Sequence, residues 1–310
     1  MALGYDGKLY ILAFDHRGSF QKKMFGIQGD PTDEESNRIS DAKHLIFEGA
    51  LKASEEGAEP GVTGVLIDEQ FGVPTGIPQE AKERGMILSM PVEKSGQDEF
   101  DFQYGDEFGD HISSFDPDFS KVLVRYNPEG DAGMNERQSA RLKRLGDWLH
   151  ENDRKYLFEL LVPAEEHQLE KVGGDSGRYD AEVRPELMRQ AIVALQEAGV
   201  EPDVWKIEGI ETQEDCERIS ATCRAGGRDG VICVVLGRGA DDAKVDHWLR
   251  QGAPVEGYAG FAIGRTIWWD ALKGFLDGDL EREDAAQQIA DNYLRFVQVY
   301  TEAAQPVATA

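Results

Sequence analysis

Short apolar runs alternate with amphipathic stretches along the whole chain. Eight runs read as strands: Leu9–Asp15, Gly64–Asp68, Met86–Met90, Lys121–Tyr126, Tyr156–Val162, Val204–Glu208, Val231–Gly237 and Tyr258–Gly264. They are rich in β-branched and aromatic residues and are bounded by turn-forming residues. Apolar residues recur at helical spacing over Ser40–Ser54, Gln79–Arg84, Asn135–His150, Arg184–Ala198, Thr212–Ala225, Ala243–Gln251 and Thr266–Leu276. A last helix over Glu283–Ala303 closes the pattern. Repeated strand–helix units imply parallel strands joined by right-handed crossovers. Eight such units in 310 residues predict an α/β chain folded as a single (β/α)8 TIM barrel, one domain over 1–310. The alternative is a doubly wound open sheet. It loses its main support because no Gly-x-Gly-x-x-Gly follows the first run. Three long segments, Gly18–Asn37, Glu93–Asp118 and Pro163–Arg184, read as loops. Each follows a strand, so all three belong on the C-terminal face of the barrel, where active sites sit.

The strands carry charge where a core strand should not. Val204-Trp205-Lys206-Ile207-Glu208 places Val204, Lys206 and Glu208 on one face and Trp205 and Ile207 on the other. A lysine in mid-strand is costly to bury as a cation and loses its proton readily when desolvated. As a neutral amine facing a barrel interior it can attack a ketone and form a Schiff base. The plainer reading is a lysine at a strand end, snorkelling to solvent beside Glu208. Glu159 lies between Phe158 and Leu160, so burial is expected to raise its pKa and suit it to general acid–base work. A structural carboxylate paired with a barrel cation is the other reading.

Polar residues recur at the remaining strand ends: Asp15, His16 and Arg17; Asp68; Glu93 and Lys94; Arg125 and Asn127. One such residue is a loop start or a helix cap. Charge at every strand end reads as one ring of site residues. Gly237-Arg238-Gly239 and Gly264-Arg265-Thr266 end the last two runs. Loops there bind phosphate through backbone N–H groups and a helix N-terminus, and the two arginines add guanidinium groups. A barrel cap with surface ion pairs is the alternative.

Composition narrows the partners. Hydrophobic residues are 40% and charged residues 30%, ordinary for a soluble enzyme. The net charge of −26 argues against nucleic acid and anionic membranes. An anionic small molecule then needs a local cluster of cations. Cys216, Cys223 and Cys233 are too few for a disulfide framework and lack metal spacing. The first residues lack a basic n-region and a long apolar stretch, so a cytoplasmic location is expected. No run approaches ~20 apolar residues, the length a membrane span needs.

In these residues the chain resembles the class I tagatose-bisphosphate aldolase family, which includes sulfofructose-phosphate aldolases. Leu12-Ala13-Phe14-Asp15-His16-Arg17-Gly18 resembles that family's Leu-Ala-Phe-Asp-Gln-Arg-Gly. Trp205-Lys206-Ile207-Glu208 resembles its Leu-Lys-Val-Glu, the Schiff-base strand. Glu159, Asp68, Glu93-Lys94 and Gly264-Arg265 look like further family positions, in order over residues 8–275. The start Asp15-His16-Arg17-Gly18-Ser19-Phe20 is most similar to the aldolase-like domain fused to 5-dehydro-2-deoxygluconokinases of myo-inositol catabolism.

This resemblance implies cleavage of 2-deoxy-5-keto-gluconate 6-phosphate to dihydroxyacetone phosphate and malonate semialdehyde, with no cofactor and no metal. Lys206 would attack the ketone and Glu159 would shuttle protons. Asp15, Asp68 and Lys94 would orient hydroxyls and hold the amine near neutrality. Arg265, with Gly237, Arg238 and Gly264 around it, would bind phosphate. Arg125, with His16 or Arg17, would bind a carboxylate, and Glu93 and Glu208 complete the expected substrate contacts.

The chain departs from the family at His16, at Arg125 and Asn127, where the bisphosphate enzymes resemble Tyr-Tyr-Asp, and at Gly237-Arg238-Gly239, where they resemble Ser-Ala-Gly. These departures weigh against a tagatose or fructose bisphosphate. Two other readings stay open: a metal-dependent lyase or isomerase using Asp15, Asp68 and His16, and a non-catalytic sugar-phosphate sensor. A homo-oligomer is compatible with all of them.

Overall fold

The computed structural model describes residues 2–59 and 61–305. Its strands are β1 (Leu9–Ala13), β2 (Thr63–Leu66), β3 (Ile87–Pro91), β4 (Phe119–Arg125), β5 (Lys155–Leu161), β6 (Val204–Glu208), β7 (Ile232–Leu236) and β8 (Tyr258–Ile263). They close into one parallel barrel in chain order, with β1 paired to β2 and to β8. The predicted (β/α)8 architecture is therefore the observed one. Met1, Pro60 and residues 306–310 of the expected 1–310 domain lie outside the described residues.

Alternation along each strand divides the interior from the helical layer. Ile11, Phe119, Leu157, Val204, Ile232 and Val234 face inward and fill the lower barrel with no more than 8% exposure. Their neighbours Tyr10, Val122, Phe158, Trp205 and Phe261 face outward into the core beneath the helices. Trp205 and Phe158 touch there, ring centroids 4.9 Å apart. The floor is thus solid, and polar chemistry is confined to the C-terminal half.

The lower end is also closed. Tyr5 donates its N–H to Gly230 and sets its ring edge against Phe119. Asp203, fully buried, accepts from the N–H groups of Gly4 and Tyr156 at 2.8 and 2.9 Å. Lys155 Nζ lies 2.9 Å away and His150 Nε2 3.2 Å. A buried carboxylate needs this number of donors.

The helices follow their end signals. Thr32 and Glu35 form a capping box on Asp33–Glu55, which begins well before the expected Ser40. The final helix, Arg282–Ala303, packs on it, and Gly49 is the close point: a Cβ there would come within 2.6 Å of Ile289 Cβ. The three predicted loops hold structure that periodicity did not reveal. Gly18–Phe25 and Phe108–Phe115 are helices, and Glu93 bridges Phe102. Pro163–Arg184 holds helix Glu166–Lys171 and a π-turn at Tyr179–Val183. These pieces are eight residues or fewer, too short for a helical repeat to register.

Candidate active site

Inward positions near the strand ends converge on one cavity of about 960 Å³. Lys206, 2% exposed, points in from β6, and β5 brings Glu159 into direct register beside it. Lys206 Nζ donates to Glu159 Oε2 at 3.0 Å. The snorkelling reading is therefore wrong: the partner is a carboxylate on the neighbouring strand, deep in the barrel.

Lys121 of β4 is the residue that the sequence reading missed. Its Nζ lies 2.7 Å from Asp15, 3.0 Å from Glu93 and 3.2 Å from Glu159. Its strand starts at Phe119, so Lys121 is a mid-strand inward lysine like Lys206, not the first residue of a run. The signal was present in the alternation Phe119, Lys121, Leu123, Arg125.

These contacts set the charges. Burial alone would lower the pKa of Lys121, but Asp15, Glu93 and Glu159 push it well above the usual lysine range. Burial would raise Glu159; Lys206 and Lys121 outweigh it and hold its pKa below normal. The expected upward shift of Glu159 is thus reversed by two ammonium groups. Asp15 likewise is driven down by Lys121, His16 and Lys206 against its burial. The raised carboxyl is Glu93, where burial prevails over Lys121 and Arg17. Its Oε1 faces Lys121 while its Oε2 is buried without a partner.

The anion-binding elements lie toward β7, β8 and β4. Arg265 begins the helix Arg265–Asp277, with Gly264 at its cap, and donates to the Arg238 carbonyl at 2.7 Å. Among the described residues no ion pair engages Arg265, and burial lowers its pKa. A half-buried guanidinium without a carboxylate partner is suited to binding an anion. Gly239, at positive φ, lets the loop close over it: a Cβ would sit 2.7 Å from the guanidinium carbon. Gly239, not Gly237, lines the cavity. Arg238 is already engaged, 2.9 Å from Glu208 and 2.8 Å from Asp180. Glu208 also accepts from Val162 N–H at 3.0 Å. Arg238 and Glu208 thus form the rim rather than two free ligand contacts.

Arg125 faces the cavity from the end of β4 and donates to the Gln97 carbonyl at 2.8 Å. Among the described residues no ion pair joins it to Glu93 or Glu159. Arg17 instead holds Glu93, through its carbonyl at 2.8 Å and its carboxylate at 3.5 Å.

One expected site residue lies elsewhere, and another has its charge engaged at the rim. Asp68 is fully buried outside the cavity, bound by Lys43 of helix Asp33–Glu55 and capping Phe71 N–H. Lys94 sits at the rim with its charge on Asp101 at 2.8 Å, so it does not tune Lys206. His16 lines the cavity, yet burial lowers its pKa to about 4, with Arg265, Lys206 and Lys43 working against Asp15. It is therefore uncharged at pH 7 as it stands. The donor set of the metal reading is dispersed: Asp15 is on Lys121, Asp68 on Lys43. Among the described residues no group of three or more His, Cys, Asp or Glu side chains could hold a metal ion.

The cavity reverses the charge of the chain. Arg17, Lys22, Lys23, Lys94, Lys121, Arg125, Lys206, Arg238 and Arg265 line it, against Asp15, Glu93, Glu159, Asp180 and Glu208. A cationic cleft in a chain of net charge −26 focuses anions inward. The arrangement can offer an amine to a carbonyl, move a proton at a carboxylate, and hold anionic groups at separate points.

Comparison with known proteins agrees with this architecture. The chain is 26% identical over 325 residues to the tagatose 1,6-diphosphate aldolase of Listeria monocytogenes, covering 97% of this chain and 89% of that one. It is 26% identical over 212 residues to tagatose 1,6-diphosphate aldolase 2 of Streptococcus pyogenes, covering 66% of this chain and 59% of that protein's length. In fold it is similar to fructose-bisphosphate aldolase from Plasmodium falciparum, TM-score 0.66 at 14% identity over 96% of this chain and 91% of that one. It is also similar to a Schiff base-forming fructose-1,6-bisphosphate aldolase, TM-score 0.55 at 17% identity over 94% of each chain. The model of one family matches residues 5–304, and the chain belongs to that family, described as an uncharacterized protein conserved in bacteria (DUF2090).

Proposed function

We propose that this protein is a class I aldolase that cleaves a phosphorylated keto sugar or sugar acid through a Schiff base on Lys206. The observation that carries the reading is the buried Lys206–Glu159 pair at the floor of an open, cation-lined cavity. Tagatose 1,6-diphosphate aldolases among the curated relatives support the reaction class.

The steps follow from the contacts. Glu159 takes a proton from Lys206, and the free amine attacks the substrate ketone. The carbinolamine loses water, with its hydroxyl protonated by Glu159, to give an iminium. The hydroxyl two carbons away gives up its proton to a carboxylate of the Lys121 cluster, Asp15 being the ionised one. The carbon–carbon bond breaks, its electron pair enters the iminium, and an aldehyde leaves. The remaining enamine is protonated at carbon and hydrolysed, releasing a ketone and restoring Lys206. Lys121 keeps Asp15, Glu93 and Glu159 close together despite their like charge.

Arg265 binds the phosphate end. Arg125, facing the same cavity with no carboxylate partner among the described residues, binds a carboxylate at the other end, with Arg17 behind Glu93. That pairing favours 2-deoxy-5-keto-gluconate 6-phosphate over tagatose, fructose or sulfofructose phosphates, with dihydroxyacetone phosphate and malonate semialdehyde as products. The protein would act in the cytoplasm on free sugar phosphates.

Borohydride added with dihydroxyacetone phosphate should trap an adduct on Lys206, located by peptide mass, and abolish activity. No adduct, or full activity in Lys206→Ala, would overturn the mechanism. Turnover lost in chelator and restored by a divalent cation would favour a metal-dependent lyase. Ligand binding without any turnover across a ketose-phosphate panel would favour a sensor.

A further inference from the structure

His16 is a cavity residue to which the proposed steps give no task. It follows β1 and lines the cavity. Its ring lies over the start of helix Arg265–Asp277: a Cβ on Gly264 would come within 3.1 Å of its Cε1. The edge of Trp268, one turn into that helix, holds the ring from another side at 5.8 Å between centroids. Its Nδ1 is buried and makes no hydrogen bond. An imidazole nitrogen fixed beside a helix N-terminus without a partner is incomplete by itself. The adjoining Arg265 is incomplete in the same sense, since it has a carbonyl but no anion. Both side chains stand at the start of the same helix.

We propose that His16 is a proton-accepting ligand of the anion subsite: a phosphate-type dianion docking against Arg265 draws one proton from solvent onto the imidazole. The proposal rests on the anion-subsite part of the functional reading and not on its covalent chemistry. The groups facing His16 are Asp15 from the end of β1, Arg265 from its helix, Lys206 from β6 and Lys43 from helix Asp33–Glu55. Burial, with three cations against one carboxylate, keeps the imidazole neutral at pH 7. A bound dianion offsets Arg265 and adds negative charge beside the ring, which reverses that balance. The proton comes from solvent, so binding and proton uptake are one event. The imidazolium then donates to the phosphate, a charge-assisted bond that neutral imidazole cannot match.

The test uses glycerol 3-phosphate, which carries the phosphate but no carbonyl, so no Schiff base can form. Calorimetric titration near pH 7, above the second phosphate ionisation at about 6, is run in buffers of differing ionisation enthalpy. The wild-type protein should take up roughly one proton per site on binding. His16→Gln keeps hydrogen-bonding capacity without a titrating group. It should still bind, about 10-fold more weakly, with no proton uptake. Absence of uptake in the wild type, equal uptake in His16→Gln, or no binding by the wild type would each overturn the proposal. Borohydride trapping on the same preparation reports on the aldolase reading separately. An adduct on Lys206 without proton uptake refutes only the role of His16. Proton uptake without an adduct refutes only the Schiff base.

Discussion

Lys121 and Lys206 share one oxygen: Glu159 Oε2 lies 3.2 Å from the first ammonium and 3.0 Å from the second. The two lysines come from the strands that flank β5, β4 and β6. One of them makes three carboxylate contacts and the other a single one. This asymmetry separates a cation held on three sides from one held on a single side, as the proposed role of Lys206 requires. Lys121 is locked by its surroundings, and Lys206 needs to lose only Glu159.

Glu159→Gln should keep the shape of the pocket while removing the proton acceptor. We expect kcat to fall by about 10²- to 10⁴-fold, the scale of lost acid–base catalysis. Borohydride trapping should slow in parallel. A variant with near wild-type kcat would transfer the role to Asp15 or Glu93.

Lys121→Met removes the hub and leaves three carboxyl groups facing one another. An uncompensated buried charge costs about 3–5 kcal/mol. The melting temperature should drop at pH 7 and recover in part as acid protonates the cluster. A melting temperature independent of pH in that variant would contradict the geometry.

Acid should weaken the fold at its lower end. The folded-state pKa of Asp203 lies below its ordinary value: burial would raise it, but hydrogen bonds from His150, Tyr156, Lys155 and Gly4 lower it. A depressed carboxylate contributes stability above its unfolded pKa of about 3.9 and loses it as pH falls through the folded value. Asp203→Asn should therefore destabilise by about 1–3 kcal/mol at pH 7 and show a shallower decline in denaturation midpoint below pH 4. Parallel wild-type and variant curves would count against it.

The two free arginines should separate the ends of the substrate. Arg265→Ala should weaken every phosphorylated ligand by about 2–4 kcal/mol. Arg125→Leu should cut the preference for a sugar-acid phosphate over a ketose bisphosphate by about 10- to 100-fold, leaving the bisphosphate rate intact. Equal kcat/KM for both substrates in the wild type would dispose of the carboxylate role.

Lys43→Ala should destabilise without altering substrate choice, because it strands Asp68 in the helical layer. About 3–5 kcal/mol is the expected loss. A selective change in KM with unchanged melting temperature would return Asp68 to the active site.

The barrel was legible because each strand is an apolar run whose neighbours break it. Lys206 and Glu159 stood out for the same reason, as charges inside such runs. What depended on partners far along the chain was not legible. Glu159 is 38 residues from Lys121 and 47 from Lys206, so its downward shift could not be read from Phe158 and Leu160. Lys121 was hidden by a strand boundary placed two residues late, which made it look like a loop end. Asp68 resembled every other strand-end carboxylate until the fold brought Lys43 against it from a helix 25 residues earlier. Periodicity gives which face a residue takes; it does not give which charge waits there.

The sealed lower end has a consequence for order in time. Tyr5, Phe119 and the packed floor leave the upper mouth as the route in and out of the cavity. Under the proposed cleavage, two product molecules would pass through one doorway. On the proposed Schiff-base route the fragment held on Lys206 would leave only after water had freed it, so the aldehyde would go first and the ketone follow. In the reverse direction the ketone must enter before the aldehyde. An excess of aldehyde over an unoccupied Lys206 would block that doorway, and a cul-de-sac of this kind makes the sequence of arrivals part of the chemistry.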